Sequence, residues 1–279
     1  MRRHSRGTGG RGYDGRGACG SSAEASRTGG VTFRILFQLR DLAHVVPWGA
    51  PPNLSLSWFG LTDGAYCIDT PAGRLLDFHG KPTAGLSVTW CDYQIARLFE
   101  DMIDAFPTIM EPVPADVIDR FHQWQANPAS QIIPEDDQLA DRWYRAQEWL
   151  GWRQIDFGYL VSCPKLHLWR TGDEVHGRWR LDPKNAASAQ LTIREADFSL
   201  PVDDFDESAN TFFRVFLGQM RERVTQIARD GWPGKPCRLD VALLVAEQDE
   251  REAEPQNRAG LKRVADWDEV RRDLRFLGA

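Results

Sequence analysis

Two segments constrain the fold more than any others. They are Ser57-Trp58-Phe59-Gly60-Leu61-Thr62-Asp63-Gly64-Ala65-Tyr66 and His167-Leu168-Trp169-Arg170-Thr171-Gly172-Asp173-Glu174-Val175-His176. Each sets a Gly/Asp pair between residues that alternate in polarity, the period-two pattern of strands flanking a tight turn. In the first, an Asp63-Gly64 turn would pair Leu61 with Tyr66 and Phe59 with Ile68 on the core side, turning Trp58, Gly60, Thr62 and Cys67 the other way. In the second, a Gly172-Asp173 turn sets Leu166 opposite Trp179, His167 opposite Arg178, Trp169 opposite His176 and Thr171 opposite Glu174. Leu166, Leu168, Val175 and Trp179 then form an apolar face. The opposite face carries His167, Trp169, Glu174, His176 and Arg178.

Around these hairpins the pattern is strands and helices in blocks. Phe33, Ile35, Phe37 and Leu39 alternate as a half-buried strand, Pro47 to Pro52 read as a rigid loop, and a further strand is expected at 74–78. Ile95, Leu98, Phe99, Met102, Ile103 and Phe106 recur at helical spacing, with Thr89 and Asp92 as expected caps and Pro107 as the expected stop. Pro114 opens a helix to about Gln125, 127–134 reads as a linker, and Leu139, Trp143, Ala146 and Leu150 mark another helix. After a strand near 191–200, the stripe Phe205, Ala209, Phe212, Phe216, Met220, Val224 and Ile227 predicts the longest helix, closed by Gly231. A helix follows Asp240, and the Asp266-x-x-Glu269 capping box starts the last one. Without regular βα alternation, the expected class is α+β: antiparallel hairpins and sheet packed by amphipathic helices in a single domain. The expected division is a leader over 1–30, an α+β core over 31–235 and an acidic helical extension over 236–279.

Residues 1–30 hold six Arg against Asp14 and Glu24, together with nine glycines and almost no large apolar side chain. Such a segment buries too little to offset its ordering entropy, so it is expected to be disordered. The abrupt start of the folded pattern suggests a native start at Val31, with the leader not part of the native chain. The formal charge is +4 for the leader and −10 for the remainder. An acidic body repels phosphates, so nucleic acid is not an expected partner except through the leader; a basic protein partner suits it better. The five cysteines include no CxxC pair, so no zinc or dithiol redox site, and no cofactor, is expected. No run of eighteen apolar residues exists, which leaves a soluble, cytoplasmic setting as the expectation. Eleven tryptophans supply large areas for cores and interfaces.

The polar face of the second hairpin is the one cluster with chemical variety. There His176 could work as acid or base, with Glu174 orienting it, Trp169 stacking a ring, and His167 and Arg178 nearby. A shared metal is disfavoured because Trp169, not His167, lies opposite His176. Asp63 at the first turn and Trp58 beside it are further candidates for ligand or partner contact. No Gly-x-Ser-x-Gly elbow and no phosphate loop occurs. The leading expectation is therefore a binding or accessory protein, of an immunity-like kind, without covalent chemistry. The alternative is an enzyme or small-ligand binder using the polar face of the 165–180 hairpin.

Pro47-Trp48-Gly49, the Ser57–Gly64 segment, the helix running into Pro107 and the Leu168–His176 segment resemble an uncharacterised bacterial family of a type common in actinobacteria. The resemblance spans roughly residues 31–230 and implies both hairpins. Ala65 departs from its bulky aromatic after the Asp-Gly pair, and the tail after Gly231 looks particular to this chain. The family has no assigned activity, so the resemblance transfers no residue role.

Overall fold

A computed structural model describes residues 33–126, 132–162, 164–181, 185, 190–259 and 265–276. The expected leader, and 127–131 of the expected linker, lie outside the described residues. The described residues from Phe33 onward belong to one compact unit with two four-stranded antiparallel sheets and seven helices among them, an α+β architecture.

In the first sheet, β2 (Asp63–Thr70) is central. β1 (Arg34–Leu39) follows one of its edges throughout, while β3 (Gly73–Leu75) and β4 (Cys91–Gln94) share the other. The expected hairpin at Asp63-Gly64 does not form. Trp58–Leu61 is instead a single helical turn, α1, whose start is capped by Ser57 Oγ accepting from Gly60 N–H at 3.2 Å. Tyr66 pairs with Phe37 and Cys91, not with Leu61. Gly64 lies outside the left-handed region; its role is close approach. A Cβ there would sit 2.4 Å from the Gln38 carbonyl oxygen and 2.8 Å from the Ile95 side chain. Gly64→Ala should therefore force β1 away from β2 and cost about 3 kcal/mol, the upper range for overpacking. Urea unfolding measures it, and a loss below about 1 kcal/mol would show that β1 yields freely.

The second sheet runs β5 (Gln154–Asp156), β6 (Lys165–Thr171), β7 (Glu174–Arg180), β8 (Glu195–Pro201). Its central hairpin has the register expected from the sequence at all four pairs, with Gly172 at φ 56° in the turn. Leu166, Leu168, Val175 and Trp179 are fully buried on the inner face.

Helix α2 (Ile95–Met110) buries the expected stripe except for Phe106, which is half-buried, and differs at both ends. Pro107 lies inside it, and its start is capped from far away: Ile95 N–H donates to the Thr62 carbonyl at 3.0 Å, and Ala96 N–H to Thr62 Oγ1 at 3.2 Å. Thr89 and Asp92 are occupied elsewhere, with Asp77 and with Arg40 and Thr83. Helix α5 (Val202–Asp230) packs on β1, β7 and β8, and its phenylalanines interlock with Phe33, Phe37, Phe99 and Trp58. α6 (Val241–Ala259) docks on α5 and is stapled there: Trp58 Nε1–H donates to Gln248 Oε1 at 2.7 Å, and Gln248 Nε2–H to the Leu217 carbonyl at 3.0 Å.

A smaller core joins α3 (Ala115–Ala126), α4 (Asp137–Gly151) and α7 (Trp267–Phe276) around Val117, Phe121, Trp124, Trp149 and Leu274. Asp266 Oδ1 accepts from the N–H groups of Asp268 and Glu269, each at 3.0 Å, so the expected cap is present. Among the described residues, no helix is long and apolar enough to cross a membrane.

Candidate functional site

The polar face of the β6–β7 hairpin is covered. α3 and α4 lie over it, with Ile118, Phe121, His122, Trp149 and Leu150 packed toward His167, Trp169 and Arg178. The void left between them measures about 10 Å³, at the limit of one water. His167 Nε2 donates to Gln154 Oε1 at 2.8 Å, and burial, helped by the charges of Lys165 and Arg178, pushes its pKa down to about 3. His122, 5.3 Å from Trp169, is pushed down to about 4 by burial and then by Arg178. Arg178 is engaged by Asp197 at 3.2 Å.

His176 remains at the open edge of this face. It stacks on Trp169 at 5.7 Å and shares a 2.6 Å hydrogen bond with Thr171 Oγ1, while the Glu174 carboxylate is 4.0 Å from its Nε2. The five residues share a face as expected, but they do not converge on a cavity. Trp58 is wholly buried and presents no surface, and Asp63 holds Arg40 Nε at 2.9 Å inside the fold.

A concave feature lies elsewhere, where the two sheets meet. After β3, Leu76 takes φ 60° and the chain continues as a ribbon in which Asp77 bridges Trp90 and Phe78 N–H donates to the Thr89 carbonyl. A buried leucine in the left-handed region carries about 1–2 kcal/mol of strain, held by the surrounding contacts. The other side of this ribbon meets the chain entering β8: Phe78 bridges Leu191, and His79 N–H donates to the Gln190 carbonyl at 2.8 Å. A cleft of about 440 Å³ opens between the ribbon, Gln190 and residues 159–162.

The ribbon tip is pinned by Arg40. Its guanidinium donates to Asp63, Asp92 and the Ala84 carbonyl, while Thr83 Oγ1 donates to the second Asp92 oxygen. Burial works against the Arg40 charge, but the hydrogen bond to Asp92 and the charges of Asp63 and Asp92 prevail and raise its pKa. Gln38 Oε1 also accepts from Ser87 N–H and Oγ–H. One cleft wall is thus fixed to β1 and β2.

Cys91 is buried at the cleft, and the half-buried Tyr93 and Tyr159 line it. Tyr93 and Tyr159 stack at 4.5 Å, and the Tyr159 and Tyr66 hydroxyls share a 2.8 Å hydrogen bond. Burial pushes the Cys91 thiol up to about 12, so it stays protonated and is a poor nucleophile. Cys67 is likewise pushed to about 12 by burial. Next to Tyr159, the Arg97 guanidinium lies 5.8 Å from its ring. One helical turn along α2 from Arg97, Asp101 has a buried Oδ2 with no hydrogen-bond donor. Burial, with the Asp156 charge adding and Arg97 opposing, raises Asp101 to about 7. No group of three or more metal-ligating side chains occurs among the described residues.

Sequence reasoning missed Tyr66, Tyr159, Cys91 and Asp101. Only Asp101 left a local signal: it lies three residues after Leu98 and four before Ala105, at the border of a buried stripe where a carboxylate needs a partner.

Together these features define an α+β protein with a preformed concave cleft and with its buried thiols held protonated. The chain belongs to a family of unknown function, DUF5984, which matches residues 34–273. That span takes in α6 and most of α7, so the tail after Gly231 is not particular to this chain. No curated protein and no solved structure matches it.

Proposed function

We propose that this chain is a binding protein without covalent chemistry, and that it takes a small molecule into the cleft between the Phe78–Tyr93 ribbon and residues 159–162. The cleft itself carries the proposal: its volume falls in the range of small-ligand sites, and its walls are mainly apolar and aromatic with a few polar groups. The state of Cys91 supports binding over nucleophilic catalysis. The helical cover over His167 and Trp169 weighs against an enzyme built on the second hairpin. A basic partner at the acidic run of α6 is also less favoured, because Arg221 already pairs with Asp249 and Glu252, and Arg251 with Glu247 and Glu254. Free Cys67, Cys91 and Cys237 suit a reducing, cytoplasmic setting.

Ligand-observed NMR with a fragment library tests this on the wild type and on Val88→Trp, which fills the cleft from its lining. The expected result is a subset of fragments that bind the wild type and are lost in the folded variant. A library with no binders, or binders indifferent to Val88→Trp, would overturn the proposal.

A further inference from the structure

We infer that the cleft takes an amphipathic anion, its acid head at Lys81 and its apolar, ring-bearing body along the Tyr93–Tyr159 stack. This rests on the small-molecule reading above and adds the ligand's chemical class. The charge inventory of the lining carries it. Asp92 is the one carboxylate among the described lining residues, and both its oxygens are occupied, Oδ1 by Arg40 and Oδ2 by Thr83. Lys81 is the one Lys or Arg of that lining, and it makes no ion pair with the described residues. A cationic ligand would meet Lys81 with no free carboxylate to receive it. A neutral one gains nothing from the ammonium, whereas an anion does. His79, two residues earlier, offers a further polar contact at the same end.

The body of the ligand follows from the other lining residues. Phe78, Leu86, Val88 and Leu160 provide apolar contact, and the two stacked tyrosine rings favour an aromatic group. A volume of about 440 Å³ is that of roughly fifteen liquid waters, room for a bicyclic ring and a short side chain. Because Lys81 is exposed, its attraction is screened, and the preference for acid over neutral analogue should be modest, about fivefold.

Isothermal titration calorimetry on the full chain tests this with three probes of one shape: indole-3-propionate, its primary amide, and 3-(2-aminoethyl)indole. The acid should bind about fivefold tighter than the amide, and the amine weakest of all. Lys81→Gln should abolish the difference between acid and amide, and added salt should narrow it in the wild type. Equal binding of acid and amide, lost alike in Val88→Trp, would overturn the anion preference and leave the cleft reading standing. Failure of all three to bind, or equal binding to Val88→Trp, would overturn both.

Discussion

Glu111→Gln should lower global stability by about 3 kcal/mol, although it changes one atom at a site remote from the cleft. Glu111 follows the last residue of α2 and reaches into the joint between the two cores. Its Oε2 accepts from Arg153 Nη2 at 2.8 Å, and its Oε1 from Ala265 N–H at 2.7 Å, just before α7. Arg153 is 2% exposed, with its guanidinium 4.5 Å from the Trp149 ring and 5.6 Å from that of Trp267. Burial already pulls its pKa down to about 10 against the Glu111 charge, and its Nε has no partner. Removing the carboxylate charge leaves a buried cation with only neutral acceptors, and breaking such pairs typically costs 3–5 kcal/mol; the retained amide oxygen puts Gln at the low end. Arg153→Met added to Glu111→Gln should recover most of the loss, since the double change removes the orphaned charge. Urea unfolding of the two single variants and the double variant measures the coupling. A Glu111→Gln loss below 0.5 kcal/mol, or simple additivity, would show that the pair does not tie the cores together.

The second hairpin was legible because two independent signals agree on it. Gly172 supplies the turn, and alternation on both strands sets the faces, where a slip of one residue would expose Leu166, Leu168, Val175 and Trp179 together. The same Asp-Gly signal misled at Asp63-Gly64. A glycine needed for positive φ and one needed so that Gln38 can come close look identical in a single strand of text, and only the β1–β2 pairing separates them. The start of α2 was misjudged for a related reason. Its capping group, Thr62, is distant in sequence, while the nearby Thr89 and Asp92 serve the ribbon.

Non-locality also explains the site. The polar face of the hairpin could be read, but its cover could not, because α3 arrives there through tertiary packing of Phe121 and His122. The cleft is assembled from three separate stretches, so no spacing within any one of them announces it. Tyr66 and Tyr159 look like ordinary strand and loop aromatics until the fold brings their hydroxyls together.

Asp101→Asn should stabilise the protein at alkaline pH and leave it unchanged in acid. In the folded state Asp101 is held near 7, first by burial and then by Asp156, with Arg97 of its own helix opposing and Glu100 adding. An unfolded Asp titrates near 3.9. Below about pH 4 the group is protonated in both states and contributes nothing. Between about 4 and 7 the folded state binds more protons than the unfolded one, so this residue makes stability fall as pH rises; above 7 the penalty is complete. Allowing for relaxation and partial solvent access, that penalty is on the order of 2 kcal/mol. Asn removes the charge with little change in shape, so the variant should exceed the wild type by about 2 kcal/mol at pH 8.5, with the gap closing toward pH 4.5. The difference between variant and wild type, taken from urea unfolding across that range, cancels every other titrating group. A gap independent of pH would mean that Asp101 does not titrate differently on folding, and a destabilised variant at pH 8.5 would mean that Asp101 Oδ2 has a donor after all. The effect also bears on the cleft, because Tyr159 lines it within the electrostatic reach of Asp101.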